Sequence, residues 1–466
     1  MLIDMDTAFL KGKSVLIMGL GHFGGGVDVT KFAYKAGARV IITDLASAEQ
    51  LSDSVKQLEE LPGIEFHLGS HEPADFEQAG IVVANPAIAP ANNFLQFARE
   101  HNKFITSQIN IFFELCPASI IGVTGTNGKS TTAALVAHLL RAGLGREGCR
   151  YSNVWLSGNI GNEPLLETID EIGADDLVVL ELSSFQLEQL AQIQKAPKVA
   201  LLTNLTPNHL DRHGTFADYC AAKENIFKFQ ELDRNQPAIS IFNADDKVAV
   251  EWFEKYKNDN GRICIKFSTD EISDEIRSGF RLPGRANLSN LAAAVSIAGY
   301  FGVDDEQIKA RLPEFKALPH RLELVAEING VCWYNDSVAT TPESAICALE
   351  AFEQPKIIIA GGYDKRLRFD ELGEKIAQDA KAAILIGQTA RQIADVIAKP
   401  LATEVTEKKI KIEIVDSLAE AVELASRLAL SGDVVLLSPA CASYDMFDNF
   451  QHRGREFCRL VREIAG

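Results

Sequence analysis

The chain has 466 residues, 47% of them hydrophobic and 24% charged, the make-up of a soluble protein with sizeable cores; roughly 100–200 residues per domain predicts three domains. A net charge of -18, a pI near 5.0 and the lack of a long basic stripe argue against nucleic acid as a partner. No window of about 18 uncharged apolar residues occurs, so no membrane partner is expected. The eight cysteines stand singly without a C-x-x-C pair, and Asp4 and Asp6 interrupt any leader-like start, which together predict a reduced, cytoplasmic protein.

In chain order, Ser14–Met18 reads as a strand, Val27–Ala36 as a helix, Arg39–Thr43 as a strand closed by Asp44, and Ile81–Ala84 as a strand before the turn Asn85-Pro86. Such alternation predicts a parallel sheet with helices on both faces. After the first strand comes Gly19-Leu20-Gly21-His22-Phe23-Gly24, with Asp44 further on. This G-x-G-x-x-G resembles a dinucleotide fingerprint, yet the physics says only that a phosphate-bearing ligand sits on a helix N-terminus. NAD, FAD and a UDP-sugar all satisfy it. Linkers are expected around 105–117 and, from Pro313 and Pro319, around 312–320.

The second alternating block opens on the most specific motif, Ile121 to Thr132, read as strand, glycine turn and helix. Gly125, Thr126, Asn127, Gly128, Lys129, Ser130 and Thr131 supply what a triphosphate needs. Backbone N–H groups converge, a helix N-terminus adds positive charge, a lysine reaches the outer phosphates, and a hydroxyl can hold Mg²⁺. The general pattern wants a glycine where Val123 stands. Further strands are expected at Leu177–Leu182 and Val199–Asn204. Glu181, at the carboxyl end of the first, is a candidate Mg²⁺ ligand. His209, near the end of the second, is suited to a metal or a proton. Lys223 lies in a helical run and by itself reads as a surface lysine. Asn287 and Asn290 precede the helix Leu291–Ala298 and either cap it or read a base.

The third block begins near Leu318, with strands expected at Val331–Asn335, Lys356–Ala360, Ala383–Ile386, Ile410–Val415 and Val434–Ser438, and a helix at Leu418–Leu428. Arg321 and Asp336 stand at its start, where an arginine suits a triphosphate. Gly361 to Arg366 and Ser438 to Asp445 are small-residue loops after strands, carrying cations and hydroxyls that fit a carboxylate-bearing small molecule.

In order, GVTGTNGKSTT, GNIG, LELSSFQLE, NLTPNHLDRH, YCAAKEN, LPGRANLSN, LPHRLE, NDSVATTPES, GGYDK and SPACASYDMFDNFQHRGREF resemble the Mur ligases of bacterial cell-wall synthesis over essentially the whole chain. The central motifs are shared with folylpolyglutamate synthases. The C-terminal SPACAS…F…RG-x-x-F stretch resembles the branch that adds D-glutamate. The resemblance implies an α/β fold of three domains: a Rossmann-like UDP-substrate domain over 1–107, a central ATPase domain with a parallel or mixed sheet over 108–317, and a Rossmann-like amino-acid domain over 318–466 that closes over the site.

It also implies a monomer that uses ATP to phosphorylate the carboxylate of UDP-N-acetylmuramoyl-L-alanine, with D-glutamate capturing the acyl phosphate. Lys129 would hold the outer phosphates. Ser130, Glu181, His209 and a carbamylated Lys223 would hold two Mg²⁺. Asn290 would read adenine, Asp336 the ribose and Arg321 the γ-phosphate. Asn159 would lie near the reacting carboxyl, and Gln186 is a further substrate residue. Gly21, His22, Phe23 and Asp44 would take the UDP end. Thr340, Lys365, Ser443 and Phe450 would take D-glutamate, and Tyr444 is a further substrate residue. Three departures stand out: Asn208 where an acid often precedes the metal histidine, Ala286 in place of the histidine of PG-x-H-N, and Val338 where a lysine is frequent. An NAD-dependent oxidoreductase and a ligase for another amino acid or folate are the alternatives.

Overall fold

The computed structural model describes residues 9–22, 24–158, 164–403 and 410–464. Phe23 and Asn159 lie outside them. The chain divides into two compact units, Met1–Ser273 with Asn290–Arg311, and Asp274–Ser289 with Leu312–Gly466.

The first unit carries two parallel sheets. One comprises β1 (Ser14–Met18), β2 (Arg39–Asp44), β3 (Glu65–Leu68), β4 (Ile81–Ala84) and β5 (Phe104–Thr106), in the order β3-β2-β1-β4-β5. The other comprises β6 (Ser119–Thr124), β7 (Val154–Gly158), β8 (Leu177–Glu181), β9 (Val199–Leu202), β10 (Ala238–Asn243) and β11 (Arg262–Phe267), in the order β11-β10-β9-β6-β8-β7. The central strands β8 and β9 are buried at every residue, as continuous apolar runs covered on both faces must be. In each sheet the strand order reverses beside the first strand, β1 or β6. That opens a crevice at the carboxyl ends, where α/β proteins take ligands.

The stretch 105–117 is not the linker its position suggested. It ends β5 and forms the helix Gln108–Leu115, whose N-cap Ser107 accepts from the Asn110 amide. Ile109, Ile111, Phe112 and Phe113 are buried in one hydrophobic core that runs from β1 and β2 through to β8 and β9. Phe112 is fully buried, worth roughly 1.5–3 kcal/mol, so this segment joins the two sheets rather than separating them.

The second unit carries a mixed sheet of β12 (Glu323–Ile328), β13 (Val331–Asn335), β14 (Lys356–Gly361), β15 (Ala380–Ile386), β16 (Lys411–Ile414) and β17 (Val434–Leu437), in the order β12-β13-β17-β14-β15-β16. Only β12 and β13 pair antiparallel. Their turn is Asn329-Gly330, with φ of 52° and 77°, the pair that a two-residue hairpin requires. Side chains alternate across the sheet. Ile358 and Ala360 meet Leu349, Leu372, Ile376 and Ile393 on one face, while Ile357 and Ile359 meet Leu418, Val422, Phe457 and Val461 on the other.

Candidate active site

At the β6 crevice, Thr124 leads through Gly125–Gly128 into the helix Lys129–Leu140. Two glycines are sterically required. A Cβ on Gly125 would lie 1.9 Å from Thr203 Oγ1, and one on Gly128, which has φ of 81°, 2.2 Å from Asn290 Oδ1. Gly122 serves packing instead, since its Cβ would meet Pro197 Cγ at 2.5 Å.

The loop is laced to the stretch after β9. Thr126 N donates to Asn204 O (2.8 Å), Asn127 N to Asn204 Oδ1 (3.0 Å), and Thr203 Oγ1 to Asn127 O (2.7 Å). Two of the loop amides expected to converge on a phosphate are therefore engaged by Asn204. Lys129 Nζ donates to Thr126 O at 2.8 Å, folding the ammonium over the loop. Asn290, buried on the helix Arg285–Tyr300, accepts from Thr132 Oγ1 at 3.1 Å, beneath Gly128.

Glu181 ends β8, 2% exposed and in register with Val123 of β6. Lys223 contradicts its surface reading. It is 1% exposed, with Nζ 3.3 Å from Thr124 Oγ1 and 4.9 Å from the centroid of the Tyr219 ring. Burial, reinforced by the Lys129 cation and opposed by Glu181, drives its amine well below the usual lysine range. His209 takes the left-handed conformation (φ 51°) and is exposed as a residue, but its ring packs 5.2 Å from Phe185. Desolvation there, with Lys223 and Lys129 adding, lowers its imidazole pKa. Among the described residues no group of three or more His, Cys, Asp and Glu could hold a metal by itself.

Two groups here escaped the sequence reading. His213 has a nearly buried side chain, with Nε2 3.0 Å from Ser184 Oγ and its ring stacked 5.5 Å from Phe185. Arg212 donates to Ala87 O (3.1 Å) and Ile88 O (3.0 Å), tying the post-β4 loop to this site. Gln186 forms a capping box with Ser183, its Oε1 accepting from Ser183 N at 2.9 Å. The S-x-x-Q spacing announced that cap.

In the β1 crevice, Gly21 N donates to Asp44 Oδ2 at 3.1 Å, and Asp44 Oδ1 accepts from Ala46 N at 2.9 Å. Gly19, Gly21 and Gly24 all have positive φ. A Cβ on Gly26 would strike Leu20 O at 2.2 Å, the close helix–strand approach of a phosphate-binding turn. His22 follows in the same loop.

In the second unit, Asp336, Ser337, Thr340, Lys365, Ser443 and Tyr444 come from loops at the carboxyl edge of β13, β14 and β17. Asp336 is buried, accepting from Ser438 Oγ (2.8 Å) and Leu322 N (3.2 Å). Burial pushes its carboxyl up to about 7, with the hydrogen bond from Ser438 and the charge of Arg321 pulling the other way. Arg453, the arginine of the RG motif and given no role from sequence, is 1% exposed. It donates to Ser337 Oγ (3.0 Å), Ser337 O (2.9 Å) and Cys441 O (3.1 Å). Phe450 O accepts from Ser337 Oγ at 2.8 Å.

Three α/β sheets, with a glycine-lysine loop at a strand-to-helix junction and Lys223 and Glu181 buried near it, fit a phosphate-handling enzyme. The chain belongs to the Mur ligase family: its models match as the MurD-like N-terminal domain over 13–107, the middle domain over 123–280 and the glutamate ligase domain over 320–441. A UDP-N-acetylmuramoylalanine–D-glutamate ligase of Roseiflexus sp. (strain RS-1) is 39% identical, covering 98% of this chain and 100% of the relative. One of Clostridium botulinum (strain Langeland) is 36% identical, covering 98% of each. Among solved structures, the UDP-N-acetylmuramate-alanine ligase MurC of Thermotoga maritima superposes with a TM-score of 0.57 at 18% identity, over 97% of this chain and 100% of that one. MurF ligase of Thermotoga maritima, solved with ADP, gives 0.56 at 19%, over 99% and 97%. These two bear on the fold alone. Family membership sets aside the oxidoreductase alternative. Among the described residues no helix is long and apolar enough to cross a membrane.

Proposed function

We propose that the protein adds D-glutamate to UDP-N-acetylmuramoyl-L-alanine at the expense of ATP, in the cytoplasm, as a step of peptidoglycan precursor synthesis. The observation that carries this reading is the full-length likeness to relatives bearing that name, at 39% identity. Buried Lys223 and Glu181, with Lys129 of the phosphate loop acting on the Lys223 amine, support it chemically.

A carboxylate is a poor electrophile. Transfer of the γ-phosphoryl group from ATP to the substrate carboxylate gives an acyl phosphate and ADP. The amine of D-glutamate attacks the carbonyl carbon, and the tetrahedral adduct expels phosphate to leave an amide. Lys129 and the helix N-terminus behind it offset the charge of the triphosphate, and Asn290 borders the nucleotide site. Arg321 and Asp336 serve the γ-phosphate and ribose. Gly21, His22, Phe23 and Asp44 receive the UDP end, and Asn159 and Gln186 the acyl end. Thr340, Lys365, Ser443 and Phe450 serve D-glutamate.

The donor set fits Mg²⁺ in the way that ion prefers. Glu181 supplies one buried carboxylate at the end of β8, in register with Val123 of β6, and Ser130 a hydroxyl in the first turn of the helix after the loop, with phosphates and water left to complete the shell. His209 is assigned to a second ion. Bound Mg²⁺ would neutralise phosphate charge as a Lewis acid. Lys223 fits carbamylation, because addition to CO₂ requires a neutral amine, and its burial favours that form.

The test is phosphate release by the purified protein with UDP-N-acetylmuramoyl-L-alanine, ATP and a panel of amino acids. D-glutamate alone is expected to stimulate release. Stimulation by another amino acid or by a folate substrate would replace the assignment with that ligase.

A further inference from the structure

Two tyrosines stand unusually open at the carboxyl edge of the mixed sheet. Tyr363 is 39% and Tyr444 61% exposed, although large rings ordinarily seek burial. They come from different loops, the one after β14 and the one after β17. The backbone joins those loops: Tyr363 N donates to Ala442 O at 2.9 Å, and Tyr363 and Ala442 form an isolated bridge. Gly362 permits that approach, since a Cβ there would lie 2.3 Å from Ala442 O. The rings meet edge to face, with centroids 6.0 Å apart and planes at 73°.

Lys365 follows two residues after Tyr363. Its turn is fixed by Asp364, whose Oδ1 accepts from Arg366 N at 2.6 Å and whose own amide donates to Gln388 Oε1 at 3.3 Å. Arg366 takes the left-handed conformation, φ 59°. The ammonium of Lys365 then sits 5.7 Å from the centroid of the Tyr444 ring. A carboxylate in that place would hold the lysine but cancel its charge. An aromatic face restrains the flexible stem and leaves the full positive charge for a ligand.

We propose that Tyr444, backed edge-on by Tyr363, is a positioning residue that presents the Lys365 ammonium to a carboxylate of the amino-acid substrate. This rests on the reading of Lys365 as part of the D-glutamate site. Tyr444 acts through Lys365, so its effect falls on amino-acid affinity.

Steady-state kinetics of the full chain at saturating ATP and UDP-N-acetylmuramoyl-L-alanine test it. Tyr444→Ala is expected to raise KM for D-glutamate about 2- to 5-fold, the size of an exposed cation–π contact, with kcat changing less than KM. Tyr444→Phe, which keeps the ring, restores the wild-type KM. In a Lys365→Ala background, Tyr444→Ala adds nothing further. Full additivity of the two substitutions overturns the inference, as does a Tyr444→Phe variant as poor as Tyr444→Ala. If Lys365→Ala raises KM and Tyr444→Ala does not, the inference alone fails. If Lys365→Ala itself leaves KM unchanged, the underlying site reading fails and takes the inference with it.

Discussion

Asp28 carries the sharpest consequence for stability. It lies on the helix Gly25–Lys35, 4% exposed, and its carboxylate accepts three consecutive amides of the central domain: Leu165 (3.2 Å), Leu166 (3.0 Å) and Glu167 (2.9 Å). Gln108 Nε2 donates to it as well. The carboxyl pKa is raised because burial outweighs these donors, so the anion does not return its full hydrogen-bond energy. Each bond to a buried charge is worth about 1.5–3 kcal/mol, and desolvation of the carboxylate gives part of the sum back, leaving a net of about 2–4 kcal/mol. Asp28→Ala would leave Leu165 and Leu166, both buried, without their acceptor. Hydrogen exchange followed by mass spectrometry reads this locally. Amides 165–167 are expected to exchange roughly 30- to 1000-fold faster, at 1.36 kcal/mol per tenfold. Unchanged protection in a folded Asp28→Ala protein would refute the reasoning. Asp28→Asn should fall between, because its amide keeps one acceptor and turns a donor toward the other amides.

Four further outcomes follow from named contacts. Because the folded protein holds the Asp336 carboxyl up to about 7, it favours the neutral form: that stability is full below the ordinary carboxylate pKa and is lost as pH rises through about 7. Urea midpoints at pH 4 and pH 8 should therefore show a decline of roughly 4 kcal/mol that Asp336→Asn removes; an equal decline in the variant refutes it. Arg453→Met should cost about 3–5 kcal/mol by orphaning the Ser337 and Cys441 carbonyls, and Arg453→Lys should recover little, since an ammonium cannot reproduce the planar fork; a thermal melt checks both. Lys129→Ala should lower kcat about 10²- to 10³-fold in the phosphate-release assay, and full activity would exclude its role. Lys223→Ala should lose activity and regain part of it with added short carboxylates, whereas an undiminished variant would remove Lys223 from the site.

Apolar runs bounded by turn residues were the legible strands. β1, β4 and β13 fall where apolar runs between turn residues put them, and β8, β9, β14 and β17 differ by a residue or two at their ends. β3, β5, β7, β10, β11 and β12 were not read, β10 although it is buried at every residue. β3 and β12 are mixed in polarity and only half covered, and β5 is three residues long. The hairpin at Asn329-Gly330 did have a signal, an Asn-Gly pair between two strands. The helix Gln108–Leu115 was lost because its neighbourhood was taken for a boundary, although apolar residues at 109, 111, 112 and 113 leave no polar face wide enough for a linker.

The site divides the same way. Backbone-driven features announced themselves: Gly125 and Gly128 admit no other residue, and the glycines at 19, 21 and 24 need positive φ. Features made by tertiary burial did not, because the same letter serves an exposed lysine and a buried one. Lys223 is the exception that had a readable cue. In the helix Phe216–Lys228 the buried residues are Tyr219, Ala222, Lys223, Ile226 and Phe227, the 3–4 spacing of a core-facing stripe. A lysine inside that stripe cannot reach water by following its own face of the helix. It must be neutralised, paired or modified, and any of these marks it as a working group before the sheet beneath it is known.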